Sequence, residues 1–181
     1  MVTCHPPTAV ARQQEPQADL ELFVCPFVCL VDSREQSPWP FSNLVIEKRL
    51  WVVKRKVVGL KTGDYSIEGH ADSLVVERKS GDDLIGSITA GNARFRREHE
   101  RMKTIVDAGG FACVIIEDSL SHLCDELDQD AGRRVTSDMV IGAVASWPMR
   151  FSCPWFFAGD RRRAELLAFK ILVKWWRIAN A

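Results

Sequence analysis

Gly63 to Lys79 reads GDYSIEGHADSLVVERK, and the fold turns on whether this segment doubles back on itself. Ser73 to Val76 has the apolar, β-branched character of a buried strand. Gly69-His70-Ala71-Asp72 supplies residues suited to a turn. Charge then arrives without a break at Glu77, Arg78 and Lys79, which is costly for a buried strand unless each charge is paired or bound to an ion. Residues two apart on a strand share a face, so Glu77 and Lys79 point one way and Arg78 the other. A hairpin with Glu68 opposite Ser73 sets Ile67 opposite Leu74, Ser66 opposite Val75 and Asp64 opposite Glu77. Two carboxylates then face each other with Cβ atoms about 5 Å apart. Such a pair needs a shared proton, a basic neighbour or a divalent cation, and Lys79 is next on the same face. Two carboxylates and a lysine are the minimum equipment for metal-assisted phosphodiester hydrolysis. Hard oxygen ligands suit Mg²⁺ or Mn²⁺, and the metal polarises the phosphoryl oxygen and acidifies a bound water. Lys79 would hold that water or neutralise charge developing on the phosphate. A one-residue slip undoes the pairing. Spacing alone favours a plainer reading, a surface ion-pair cluster at a strand end.

Outward from the hairpin, helix and strand alternate. Phe23 to Val31 is an apolar strand ending at Asp32, and SREQSPWPF is a loop punctuated by Pro38 and Pro40. Asn43 to Lys61 holds a strand or two with six basic residues against Glu47, either a positive face or the charged guard of an edge strand. Asp82 or Asp83 is expected to cap a short helix through Ile88. Asn92 to Ala108 is a helix with Phe95, Met102, Ile105 and Val106 on one face and Arg94, Arg97 and Arg101 on another. Phe111 to Ile116 is an uninterrupted apolar strand, which implies a sheet covered on both faces. Asp118 to Asp130 is one helix or two. Thr136 or Ser137 caps a helix stopped at Trp147 by Pro148. Arg150 to Ala158 is a short strand, and Asp160 caps the last helix, which carries Trp175 and Trp176. The expected class is α/β, a central mixed sheet flanked by helices.

With 181 residues and 46% hydrophobic content, the chain suffices for one domain with a sizeable core. Residues 1–22 read as a flexible lead-in and residues 23–181 as the folded domain. Lys plus Arg equals Asp plus Glu at 24 each, so any nucleic-acid binding must come from local patches. No apolar run approaches the roughly 20 residues needed to span a bilayer, and the N-terminus lacks a signal-peptide core. A cytoplasmic protein, or a nuclear one in a eukaryote, is the expectation. Cys25 and Cys29 with His5 have zinc-ligand chemistry, but without the usual paired spacings.

Several stretches together resemble the XPF family (xeroderma pigmentosum group F) of structure-specific DNA endonucleases, within the restriction-endonuclease-like, or PD-(D/E)xK, group. The family's GD…ERKxxxD pattern stands here as Gly63-Asp64, Glu77-Arg78-Lys79 and Asp83. Its VDxRE stands as Val31-Asp32-Ser33-Arg34-Glu35, its DLxxSI helix as Asp83 to Ile88, and its RFxxE helix as Arg94 to Glu98. GAVASW and the late AELL also look like the family's closing elements, so the resemblance runs from about Val28 to Ile178. It implies a Mg²⁺- or Mn²⁺-dependent nuclease that cuts branched or flapped DNA in repair or recombination. Asp64 and Glu77 would be metal ligands, Asp32 a further acidic member at the metal, and Lys79 would serve the attacking water. Arg78 would touch the DNA backbone or brace the site, with Arg34, Glu35 and Asp83 as supporting members. Larger relatives carry helix-hairpin-helix modules after the nuclease domain, whereas this sequence stops at Ala181. A partner chain would then supply that grip, or the domain binds alone, as in compact bacterial and phage forms. Late helices dimerise in the family, which makes a two-fold dimer a further expectation.

Bland readings stand beside these. Asp32 could cap a turn and Asp83 its helix. Arg94, Arg97 and Arg101 either grip phosphates or form a solvated face paired with Glu98 and Glu100. His70, His99 and His122 lack metal-like spacing and are expected at the surface. Two other functions remain: a non-catalytic DNA-binding or scaffold subunit, and a sequence-specific restriction-type nuclease. The intact Asp64, Glu77 and Lys79 favour the enzyme.

Overall fold

The computed structural model describes residues 20–181 except positions 90, 131 and 133. Within them lies one seven-stranded mixed sheet flanked by five helices, the expected α/β architecture. The strands are β1 (Glu21–Asp32), β2 (Leu44–Ile46), β3 (Arg49–Val58), β4 (Tyr65–Ile67), β5 (Leu74–Lys79), β6 (Phe111–Ile116) and β7 (Trp155–Phe157). The helices are α1 (Gly81–Ile88), α2 (Asn92–Asp107), α3 (Leu120–Gln129), α4 (Ser137–Phe151) and α5 (Arg161–Ala179). Across the sheet the order is β2-β3-β1-β4-β5-β6-β7. β1 pairs parallel with β3 and antiparallel with β4, and β5 and β6 pair in parallel.

The hairpin forms in the expected register. Tyr65 pairs with Val76, and the Asp64 N–H donates to the Val76 carbonyl at 3.0 Å. Alternation along β5 divides the core. Leu74 and Val76 join Trp39, Phe41, Tyr65 and Phe169 under α5. Val75 joins Leu84, Phe95, Met102 and Trp155 under α1, α2 and α4. Burying both faces leaves no polar side chain until the strand ends, where Glu77 and Lys79 emerge on the Val75 side and Arg78 on the Val76 side.

Several boundaries depart from the sequence expectations. β1 starts at Glu21, so Glu21 and Leu22 belong to the sheet and not to the lead-in. The rest of that lead-in, with His5 of the zinc alternative, lies outside the described residues. Cys25 and Cys29 are buried thiols, and burial pushes Cys25 up to about 11. The basic segment forms β2 and β3, joined through Glu47 and Lys48, both with positive φ, as a tight primed hairpin turn demands. β2 reaches only Arg49–Trp51, so the basic half of β3 is itself an edge. Ser80, not Asp82 or Asp83, caps α1 by accepting the Asp83 N–H. α4 runs through Pro148 to Phe151 instead of stopping. Proline removes one helical donor, but Trp147 and Phe151 on either side of it both pack on His99, which holds the helix together. The strand expected over Arg150–Ala158 shrinks to Trp155–Phe157. His99 is buried, not at the surface: Trp155 Nε1 donates to its Nε2 at 2.9 Å. With Nε2 accepting, the proton sits on Nδ1, which faces the Phe95 carbonyl. No helix among the described residues is long and apolar enough to cross a membrane.

Candidate active site

Main-chain bonds bring three acids together. The Asp32 N–H donates to the Asp64 carbonyl at 2.8 Å, and Asp64 in turn bonds to Val76, beside Glu77. Gly63 makes this approach possible. Its φ is +72°, and a Cβ there would run into the Val75 side chain and lie 3.2 Å from the Val76 carbonyl. Asp64 and Glu77 both line a cleft of about 930 Å³ between the ends of the central strands β1, β4 and β5 and the helices α1 and α2.

The two carboxylates are poorly compensated. Asp64 Oδ2 accepts the Arg78 N–H at 2.7 Å. Glu77 is 3% exposed; its Oε1 accepts from Lys79 Nζ at 2.6 Å, while its Oε2 is buried with no hydrogen-bond partner. Burial pushes the Asp64 carboxyl up to about 6, with Glu35 adding repulsion. Burial, then the neighbouring Asp64 charge, holds Glu77 well above the usual carboxylate range. Burial works against the Lys79 ammonium, but Glu77 outweighs it and raises Lys79 above its ordinary value. The ammonium also sits 5.2 Å from the centre of the Phe95 ring.

Asp32 behaves differently. Its Oδ1 accepts the Arg34 main-chain N–H and Nε, and its Oδ2 accepts Arg34 Nη2 and the Leu60 N–H, the four contacts spanning 2.6–3.1 Å. Burial opposes its charge, but the Arg34 side chain outweighs burial and lowers its pKa. Both oxygens are thus committed, and a bound cation would have to displace a guanidinium. Of the three expected acids, Asp64 and Glu77 have fewer hydrogen-bond partners than Asp32. Arg34 serves as the partner of Asp32 and reaches the Leu60 carbonyl.

Arg78 turns to the opposite face. Nε and Nη2 grip Glu117 at 2.8 and 2.6 Å, and Nη1 reaches Glu35 at 3.3 Å. Glu35 also accepts the Ser37 N–H at 2.6 Å. Glu117, which follows β6, accepts Trp39 Nε1 at 2.6 Å and Arg161 Nη1 at 3.0 Å as well. Sequence reasoning missed Glu117, although the same signal marks it as marks Glu77: a carboxylate directly after an apolar strand. Asp83 lines the cleft from the first turn of α1. Of the three α2 arginines considered for phosphate contact, Arg94 and Arg101 line the cleft and Arg97 does not. Arg101 Nε lies 3.3 Å from Thr62 Oγ1. Glu98 also lines the cleft. His122 is exposed beside Asp118, and His70 accepts from Trp175 Nε1 at 3.2 Å.

Among the described residues, no three His, Cys, Asp or Glu side chains are gathered closely enough to hold a metal by themselves. The pair Asp64–Glu77 nonetheless fits Mg²⁺ chemistry. That ion keeps several waters and takes one or two carboxylates together with substrate phosphates. The bare, buried Glu77 Oε2 is the atom such an ion would satisfy.

The model of the ERCC4 domain matches residues 31–168. The fold is similar to XPF from Aeropyrum pernix, with a TM-score of 0.56 and 20% identity over 81% of this chain and 59% of that one. It is similar to XPF from Aeropyrum pernix in complex with DNA, with a TM-score of 0.59 and 20% identity over 84% of this chain and 66% of that one. At that identity the likeness is one of fold, and the chain spans about three-fifths to two-thirds of those structures. No curated protein sequence matches the chain.

Proposed function

The chain belongs to the ERCC4-domain family, and from that premise we propose that it is a divalent-metal-dependent endonuclease that hydrolyses phosphodiester bonds in branched or flapped DNA, in repair or recombination. Asp64 and Glu77 would hold the ion, Mg²⁺ or Mn²⁺. Bound there, the ion supplies Lewis-acid polarisation of the scissile phosphate and acidification of the attacking water. The chain's own residues do the rest. Lys79, whose ammonium lies against Glu77, would donate a hydrogen bond to the water or to a phosphate oxygen. Asp32 and Arg34 fix the end of β1 beside Asp64. Arg94 and Arg101, on the cleft wall, would neutralise flanking phosphates.

The observation that carries this reading is the buried, unpartnered Glu77 Oε2 beside a second carboxylate whose pKa burial has raised. A structural ion-pair cluster would satisfy its own charges, whereas here one ammonium, Lys79, serves two carboxylates and Glu77 Oε2 has no hydrogen-bond partner. Labelled fork, flap and plain duplex DNA incubated with Mg²⁺ test the proposal. Wild-type chain should cut the branched substrates, and Glu77→Ala should abolish cutting while DNA binding persists. Cleavage by Glu77→Ala at the wild-type rate would remove the mechanism. No cutting of any substrate points to a scaffold subunit, and cutting of plain duplex at one defined sequence points to a restriction-type enzyme.

A further inference from the structure

The metal-facing side of β5 is held from behind. Arg78 lies between Glu77 and Lys79 in sequence and projects through the other face of the sheet. There Glu117 takes its guanidinium in a two-pronged grip. Both side chains are close to buried, at 11% and 8% exposure. Four hydrogen bonds shorter than 3.1 Å converge on the Glu117 carboxylate from three segments: Trp39, Arg78 and Arg161. Arg161 is also tied to the carbonyls of Ser37 and Pro38, in the loop that carries Glu35. The same carboxylate thus fastens β5, the loop after β1 and the start of α5. The main chain is fastened too, since the Glu117 N–H donates to the Lys79 carbonyl at 2.8 Å.

Building on the nuclease reading, we infer that Glu117 is a positioning residue for the metal site: by clamping Arg78 it fixes the main-chain N–H that orients Asp64 and the spacing of Glu77 and Lys79. The path is short. Glu117 holds the Arg78 side chain, and the Arg78 N–H is the one hydrogen-bond donor to the Asp64 carboxylate among the described residues. Release of the guanidinium loosens the end of β5 that carries this peptide, and the contact that aims the second oxygen of Asp64 is displaced. An exposed ion pair would not do this, because water replaces its partners at little cost. A pair this buried, bidentate and shared with an indole N–H has one low-energy arrangement.

The test uses the intact chain with Glu117→Gln, Arg78→Lys and the double variant. One readout is single-turnover cleavage of a flap substrate with Mg²⁺. The other is Mn²⁺ binding without DNA, monitored by electron paramagnetic resonance. Glu117→Gln should lose ~10–100-fold in each, as partners that orient metal ligands typically do. DNA affinity measured in EDTA should stay at the wild-type value. Because both act through one peptide, the double variant should be no worse than Arg78→Lys. Unchanged Mn²⁺ affinity in Glu117→Gln, or losses that multiply in the double variant, would overturn the inference. If wild-type chain cuts no DNA, the nuclease reading falls, and Mn²⁺ binding alone decides: weakened in Glu117→Gln it upholds the inference, unchanged it removes it. Should Glu117→Gln fail to fold, Glu117→Asp keeps the charge but withdraws it from Arg78 by one methylene, with the same expectations on both readouts.

Discussion

Asp64→Asn should make the metal-free protein more stable while destroying the site. Asp64 is partly buried, and its carboxyl is pushed from an ordinary 3.8 to about 6. A pKa raised by folding means that the charged form destabilises the native state. The neutral form's contribution is complete below pH 3.8 and is lost as pH rises through about 6. At 1.36 kcal/mol per pH unit, that span corresponds to roughly 3 kcal/mol above pH 6. Asparagine keeps an oxygen to accept the Arg78 N–H and carries no charge. The variant should therefore gain at most about 3 kcal/mol at pH 8, on the order of 6–12 °C in Tm for a chain of this size. At pH 4 the gain should vanish. Thermal unfolding of both proteins in EDTA at pH 4, 6 and 8 measures it, and saturating Mg²⁺ should close the gap by stabilising the wild type alone. An Asp64→Asn protein less stable than wild type at pH 8 in EDTA would show that the buried charge is not a native-state cost.

Mn²⁺ binding should weaken as pH falls through about 6, because Asp64 must lose its proton to ligate; calorimetric titrations at pH 5.5 and 7.5 compare the two states, and equal affinities would contradict the proposed ligand. Replacing Arg94 and Arg101 together by alanine should weaken DNA binding and reduce the slope of log K against log salt by about 2, at ~0.9 per phosphate released. Arg97→Ala, outside the cleft, should leave that slope in place. Gly63→Ala should cost ~1–3 kcal/mol in denaturant unfolding, since it forces a side chain into a left-handed backbone against Val75.

Much of the site was readable from residue order because the hairpin obeys a two-residue rule. Once Glu68 faces Ser73, the placement of Asp64 against Glu77 is determined, and a buried pattern on both sides of β5 leaves little freedom to slip. Local signals identified the ends of α2 and the cap at Asp160. What stayed hidden depends on distant partners. Nothing in SREQ tells that Arg34 and the Leu60 N–H will bond to both oxygens of Asp32. Glu117 draws its donors from 39, 44 and 78 positions away. Burial of His99 required Trp155, at the far end of the domain, to supply an indole N–H. Pro148 reads as a helix stop until the aromatic packing of Trp147 and Phe151 is known. The choice of Ser80 over two nearby aspartates as a cap is a matter of main-chain angle, which composition does not report.

Whether Asp64 and Glu77 share one ion can be seen by anomalous diffraction from crystals soaked in Mn²⁺. A single strong peak is expected ~2.0–2.2 Å from an oxygen of Asp64 and from Glu77 Oε2, its remaining positions filled by water. A saturated soak with no peak between these two carboxylates, or with Mn²⁺ held elsewhere in the cleft, would contradict the shared-ion site.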